Sequence, residues 1–101
     1  MTSSESSFRR WALKMWPGCF LVKWPDFKQT GLSHSSGVPD FLVVYDSKVF
    51  FVEVKKWNAK SFTPAQKKIF AHIIREGGVI WVWIKEKRGH NFFEYSETSS
   101  F

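Results

Sequence analysis

Gly37-Val38-Pro39-Asp40-Phe41-Leu42-Val43-Val44-Tyr45-Asp46-Ser47-Lys48-Val49-Phe50-Phe51-Val52-Glu53-Val54-Lys55-Lys56 sets two runs of strand-forming residues on either side of a short polar break. A break of this kind between two β-rich runs predicts a hairpin. Side chains alternate between the faces of a strand, so Phe51, Glu53 and Lys55 share one face while Phe50, Val52 and Val54 take the other. With Ser47 and Lys48 as the loop and Asp46 paired with Val49, Asp40 falls opposite Lys55 and Leu42 opposite Glu53. Asp40 is then diagonal to Glu53. Opposed residues in an antiparallel pair point the same way, so Asp40, Glu53 and Lys55 converge at one end of the hairpin. A slip of one residue would turn Asp40 to the far face.

Two carboxylates held close together repel when ionised, which raises a pKa or recruits a cation. Oxygen-only ligation suits Mg²⁺ or Mn²⁺, which retain several waters. Such an ion acidifies a bound water and neutralises a phosphate, and a lysine beside it would stabilise charge on phosphoryl oxygens. The plain alternative is a solvated face carrying an ordinary Glu53–Lys55 pair. Asp40 at matching parity favours the site.

Pro39-Asp40 followed after twelve residues by Glu53-Val54-Lys55 resembles the PD-(D/E)XK nuclease pattern. The longer string, from Ser36-Gly37-Val38-Pro39-Asp40 through Val52-Glu53-Val54-Lys55 to Phe62-Thr63-Pro64-Ala65-Gln66, is similar to the virus-type replication-repair nuclease (VRR-Nuc) branch. The similarity spans roughly residues 36 to 84. It implies a restriction-endonuclease-like α/β core with the order αβββαβ. It also implies Asp40 and Glu53 as metal ligands, assisted by the Val54 backbone carbonyl, and Lys55 as the catalytic lysine. Gln66 would be the glutamine that reaches back from the following helix. Many nucleases of this type also bring a glutamate from the first helix, where Glu5 is the acid available.

The flanks fit such a core. Thr2 to Met15 reads as a helix capped by Ser3 or Ser4, with Phe8, Trp11, Ala12 and Met15 on one face and Pro17-Gly18 as its stop. Residues Cys19 to Trp24 form a first strand, and Gln29 to Gly37 a polar, glycine-rich loop. Lys28 and His34, before Asp40, and Lys56 and Lys60, after Lys55, are candidate DNA contacts. The alternatives are a plain connection and simple solvation. Thr63-Pro64-Ala65-Gln66 opens a second helix with a capping box, which offers Gln66 a structural role in competition with a role in the site. That helix runs to about Glu76, with Ala65, Ile69, Ile73 and Phe70 toward the core, and Gly77-Gly78 ends it. Val79 to Ile84 is apolar on both faces, as in a strand covered on both sides and parallel to its neighbour. Asn91 to Tyr95 forms a short last strand after the basic turn Lys85-Glu86-Lys87-Arg88-Gly89.

Composition narrows the partners. The 101 residues read as a single domain. A formal charge of +6 favours a polyanion and would equally suit an architectural nucleic-acid binder. No apolar run is long enough to span a membrane. The N-terminus lacks a signal-peptide pattern. One cysteine, Cys19, leaves no intramolecular disulfide and fits an intracellular setting. Aromatics at 19% exceed what a modest core needs, so Trp11, Trp16 and Phe92 are candidates for a homodimer interface. The function expected is metal-dependent cleavage of DNA, selective for branched structures such as a Holliday junction. Two other functions compete: a non-catalytic binder on the same fold, and a nuclease subunit active only within a larger complex.

Overall fold

The computed structural model describes residues 1–23, 37–59 and 61–98. Their order is α1 (Ser3–Met15), β1 (Phe20–Lys23), β2 (Phe41–Tyr45), β3 (Lys48–Lys56), α2 (Pro64–Arg75), β4 (Ile80–Lys85) and β5 (His90–Glu94). The strands lie side by side in chain order in one sheet. β1, β2 and β3 pair antiparallel, β3 and β4 pair parallel, and β5 closes the sheet antiparallel to β4. The parallel step requires a crossover, which α2 supplies.

The hairpin turns one residue earlier than expected. Asp46 and Ser47, not Ser47 and Lys48, are the loop, with φ of 53° and 61°. Two successive left-handed residues match the right-handed twist of paired strands, which selects this turn over the alternative. Tyr45 therefore pairs with Lys48 and Phe41 with Val52. One step further, Asp40 comes opposite Glu53, not opposite Lys55. The correction shifts the pairing by an even number, so every side chain keeps its predicted face.

Each face of the sheet carries one helix. Phe8 and Ala12 of α1 are buried against Phe41, Val43, Val52, Val54 and Trp83. Phe70 of α2, together with Phe62, is buried against Ile80, Val82, Ile84 and Tyr95. α1 is capped by Thr2, not by Ser3 or Ser4, in a reciprocal box with Glu5. Met15 is 55% exposed rather than buried. Trp16 at the helix end fills that space, with its ring 5.3 Å from Phe50 and 5.1 Å from Trp11. In α2 the buried stripe centres on Phe70, with Ile73 and Ile74 beside it, and Ala65 and Ile69 are only half-buried. Gln66 lies one turn before Phe70, so this rotation carries it inward. Gly77 and Gly78 close α2 by donating to the carbonyls of Ile74 and Ile73 at 3.0 and 2.8 Å, a Schellman arrangement.

Candidate active site

The site forms where β2 begins and β3 runs toward its end. Asp40 has just left the loop region when Phe41 enters the ladder. Its Oδ2 accepts the Val54 N–H at 2.8 Å, locking the carboxyl against β3 beside Glu53. Glu53 is only 4% exposed. Burial, and then the charge of Asp40, push its carboxyl up to about 8, with Lys55 pulling the other way. Burial also lifts Asp40 to about 6, opposed by the Val54 N–H and Lys23 and reinforced by Glu5.

Gln66 joins the parts. Its Nε2 donates to Glu53 Oε2 at 2.8 Å, and its Oε1 accepts from Lys55 Nζ at 2.9 Å. The same Oε1 accepts the Thr63 N–H at 2.9 Å, while the Gln66 N–H donates to Thr63 Oγ1 at 3.1 Å. The helix cap and the link to the carboxylate are therefore not alternatives. One side chain makes both, because a carbonyl oxygen has two lone pairs and the amide end remains to donate. Lys55 Nζ also lies 3.7 Å from Glu53 Oε2 and 5.4 Å from the centre of the Phe62 ring.

Gly37 explains how β2 and α2 come this close. Its φ is +94°, and a Cβ on it would lie 2.6 Å from the Ala65 carbonyl oxygen. Only glycine lets the approach to Asp40 press against the first turn of the helix that carries Gln66.

Glu5 stands at the edge of this group. Its Oε1 accepts the Thr2 N–H at 2.8 Å, and its Oε2 lies 3.5 Å from Lys23 Nζ. Burial works against its ionisation, but the Thr2 N–H and Lys23 outweigh it and hold the carboxyl below its ordinary value. Lys23 also lies 3.9 Å from Asp40 Oδ1. The sequence placed Lys23 in β1 without assigning it to the site. Pairing of Lys23 with Phe41, next to Asp40, brings it there, and that register was not readable from the sequence. Lys56 is exposed at the end of β3. Lys28, His34 and Lys60 lie outside the described residues.

Among the described residues, no group of three or more His, Cys, Asp or Glu side chains could hold a metal ion. Asp40 and Glu53 make a pair. Glu53 Oε1 is buried and has no hydrogen-bond partner. An orphaned carboxylate oxygen at a site with two raised carboxyls fits a hard divalent cation that keeps several of its own waters.

The sheet order, the parallel β3–β4 step and a helix on each face define the restriction-endonuclease-like fold. No family model matches the chain, and no curated protein matches it. Placement in the VRR-Nuc branch thus gains no support from a family match. Among solved structures the chain is similar to Archaeoglobus fulgidus Hjc, a Holliday junction resolvase from an archaeal hyperthermophile. The TM-score is 0.65 at 17% identity, over 93% of this chain and 76% of that one. No described helix is long and apolar enough to cross a membrane.

Proposed function

We propose that this chain is a metal-dependent DNA endonuclease of the VRR-Nuc type, selective for branched DNA such as a four-way junction. The observation that carries the proposal is the unpartnered Oε1 of Glu53 beside Asp40. A buried acid left this way costs stability unless something satisfies it. Supporting it is the fold that the chain has in common with a Holliday junction resolvase.

Asp40 and Glu53 would hold Mg²⁺ or Mn²⁺, with the Val54 carbonyl as a further oxygen. When bound, the ion supplies an acidified water and countercharge for a phosphate. The protein's own part is orientation. Gln66 holds Glu53 through its amide nitrogen and Lys55 through its amide oxygen, so the carboxylate and the cation keep a fixed spacing. Lys55, backed by Phe62, presents Nζ to the non-bridging oxygens of the scissile phosphate and stabilises the charge that grows there. Lys23 and Glu5 balance charge behind Asp40. Lys28, His34, Lys56 and Lys60 would follow the DNA backbone. Residues 1–101 would form a single nuclease domain, working inside the cell as a homodimer that offers paired sites to the two strands of a junction.

The test is incubation of the purified chain with Mg²⁺ or Mn²⁺ and linear, nicked, flapped and four-way DNAs. Branched DNAs should be cut, and cutting should stop in chelator and in Glu53→Gln. A Glu53→Gln protein that cuts branched DNA as fast as the parent would overturn the proposal.

A further inference from the structure

Trp57 follows β3 directly, two residues after Lys55, and is 50% exposed. A tryptophan at the surface gives up the burial that usually justifies its size. Lys87, from the turn between β4 and β5, holds Nζ 4.4 Å from the centre of its ring. The parallel ladder brings the two together, since Lys56 pairs with Lys85 and the turn begins there. Beside Trp57 an open cleft of about 350 Å³ runs over Ile84 to Glu86 and Asn91. Ile84 is the ladder partner of Lys55, so the cleft lies on the site's face of the sheet, one strand away. Its polar end is organised: Asn91 Nδ2 donates to Glu86 Oε1 at 3.0 Å. Lys87 and Arg88, in the turn that carries Glu86, are exposed.

We infer that Trp57 is a stacking platform for one unpaired base next to the scissile phosphodiester, with Lys87 behind the ring and neighbouring cations on the backbone. The inference rests on the nuclease reading and specifies its substrate: DNA that carries an unstacked base at the branch. An aromatic face takes any base, and a cation against a ring strengthens such a platform. A duplex stacked throughout has no base to offer, so the platform favours branch points over linear DNA. Asn91 and Glu86 would face the edge of the base.

Two labelled duplexes that differ only by one unpaired 2-aminopurine provide the test, bound in chelator so that no cutting intervenes. The parent and Trp57→Phe should quench the 2-aminopurine and prefer the bulged duplex. Trp57→Ala should lose the quenching and about tenfold in affinity for the bulged duplex, and less than twofold for the paired one. Lys87→Ala should weaken both by roughly two- to threefold and reduce the salt dependence. Under Mg²⁺, the Trp57→Ala loss should fall on KM for bulged substrates. Retained quenching in Trp57→Ala, or equal losses on both duplexes, would overturn the platform. A parent that quenches but never cuts would leave the platform standing and remove the nuclease. A parent that cuts branched DNA without quenching would do the reverse.

Discussion

At the scale of single residues, Glu53 is a buried acid whose effect on stability depends on pH. Its carboxyl titrates near 8 when folded, against an ordinary value of 4.5. Between those values the folded chain binds more protons than the unfolded one, so stability falls as pH rises. The contribution is complete below about pH 4.5 and gone above about pH 8. In chelator, the melting temperature of the parent should therefore drop from pH 5.5 to pH 8.5 more than that of Glu53→Gln. Thermal denaturation of both proteins checks this, and parallel curves would show that Glu53 is not a raised acid. Added Mg²⁺ should raise the parent's melting temperature at pH 8.5 and leave Glu53→Gln unmoved. Lys55→Ala should lower turnover by on the order of 10²–10³, the usual loss for one donor to developing charge, while metal binding persists. Single-turnover cleavage and metal titration measure the two separately.

At the scale of elements, the first turn of α2 does two jobs through Gln66, and substitutions can divide them. Thr63→Ala removes the cap, costs about 0.5–2 kcal/mol, and should leave turnover near normal at low temperature. Gln66→Glu retains an acceptable third residue for a capping box but replaces the donor to Glu53 with an acceptor. It should fold and lose cleavage. If Thr63→Ala abolished cleavage at full folding, or Gln66→Glu cut normally, the link from Gln66 to Glu53 would have no part in the chemistry. Gly37→Ala combines a left-handed backbone with a Cβ 2.6 Å from the Ala65 carbonyl oxygen. A loss of about 1–3 kcal/mol is expected, with cleavage reduced beyond what unfolding explains, because β2 and α2 would separate. Chemical denaturation and activity of the folded fraction test both.

At the scale of the molecule, charge and aromatic surface govern assembly. Much of the aromatic surplus is spent within the fold: Trp11 lies 5.2 Å from Phe92 and Trp81 stacks on Phe92 at 4.8 Å. A cleft of about 570 Å³ near the hairpin turn is bounded by Trp16, Tyr45, Phe50 and Trp81, with Val49 exposed at its rim. If the chain dimerises here, sedimentation at micromolar concentration should show a dimer that Val49→Lys weakens at least tenfold without altering the melting temperature. A monomer at high micromolar concentration, with and without DNA, would count against the dimer. DNA affinity should fall steeply with salt, as a formal charge of +6 requires of a phosphate-binding surface.

The alternation of Phe51, Glu53 and Lys55, and a two-residue turn at either Asp46-Ser47 or Ser47-Lys48, placed the two carboxylates and the lysine on one face from sequence alone. Parity survives a register error of two residues, which is why the site was legible although the turn was misplaced. The apolar run from Val79 likewise announced a strand parallel to β3, since only a strand covered on both faces tolerates it. Tertiary structure decided what depends on rotation and on distance. The left-handed pair Asp46-Ser47 set Asp40 across from Glu53, because the twist of the strands favours that turn. Burial of Phe70 fixed the roll of α2 and so delivered Gln66, already the capping partner of Thr63, to Glu53. Pairing of β1 with β2 brought Lys23 to Asp40, and the parallel ladder set Lys87 over Trp57. Sequence periodicity records which face a residue takes. Which residues meet across elements follows only from how the two cores pack.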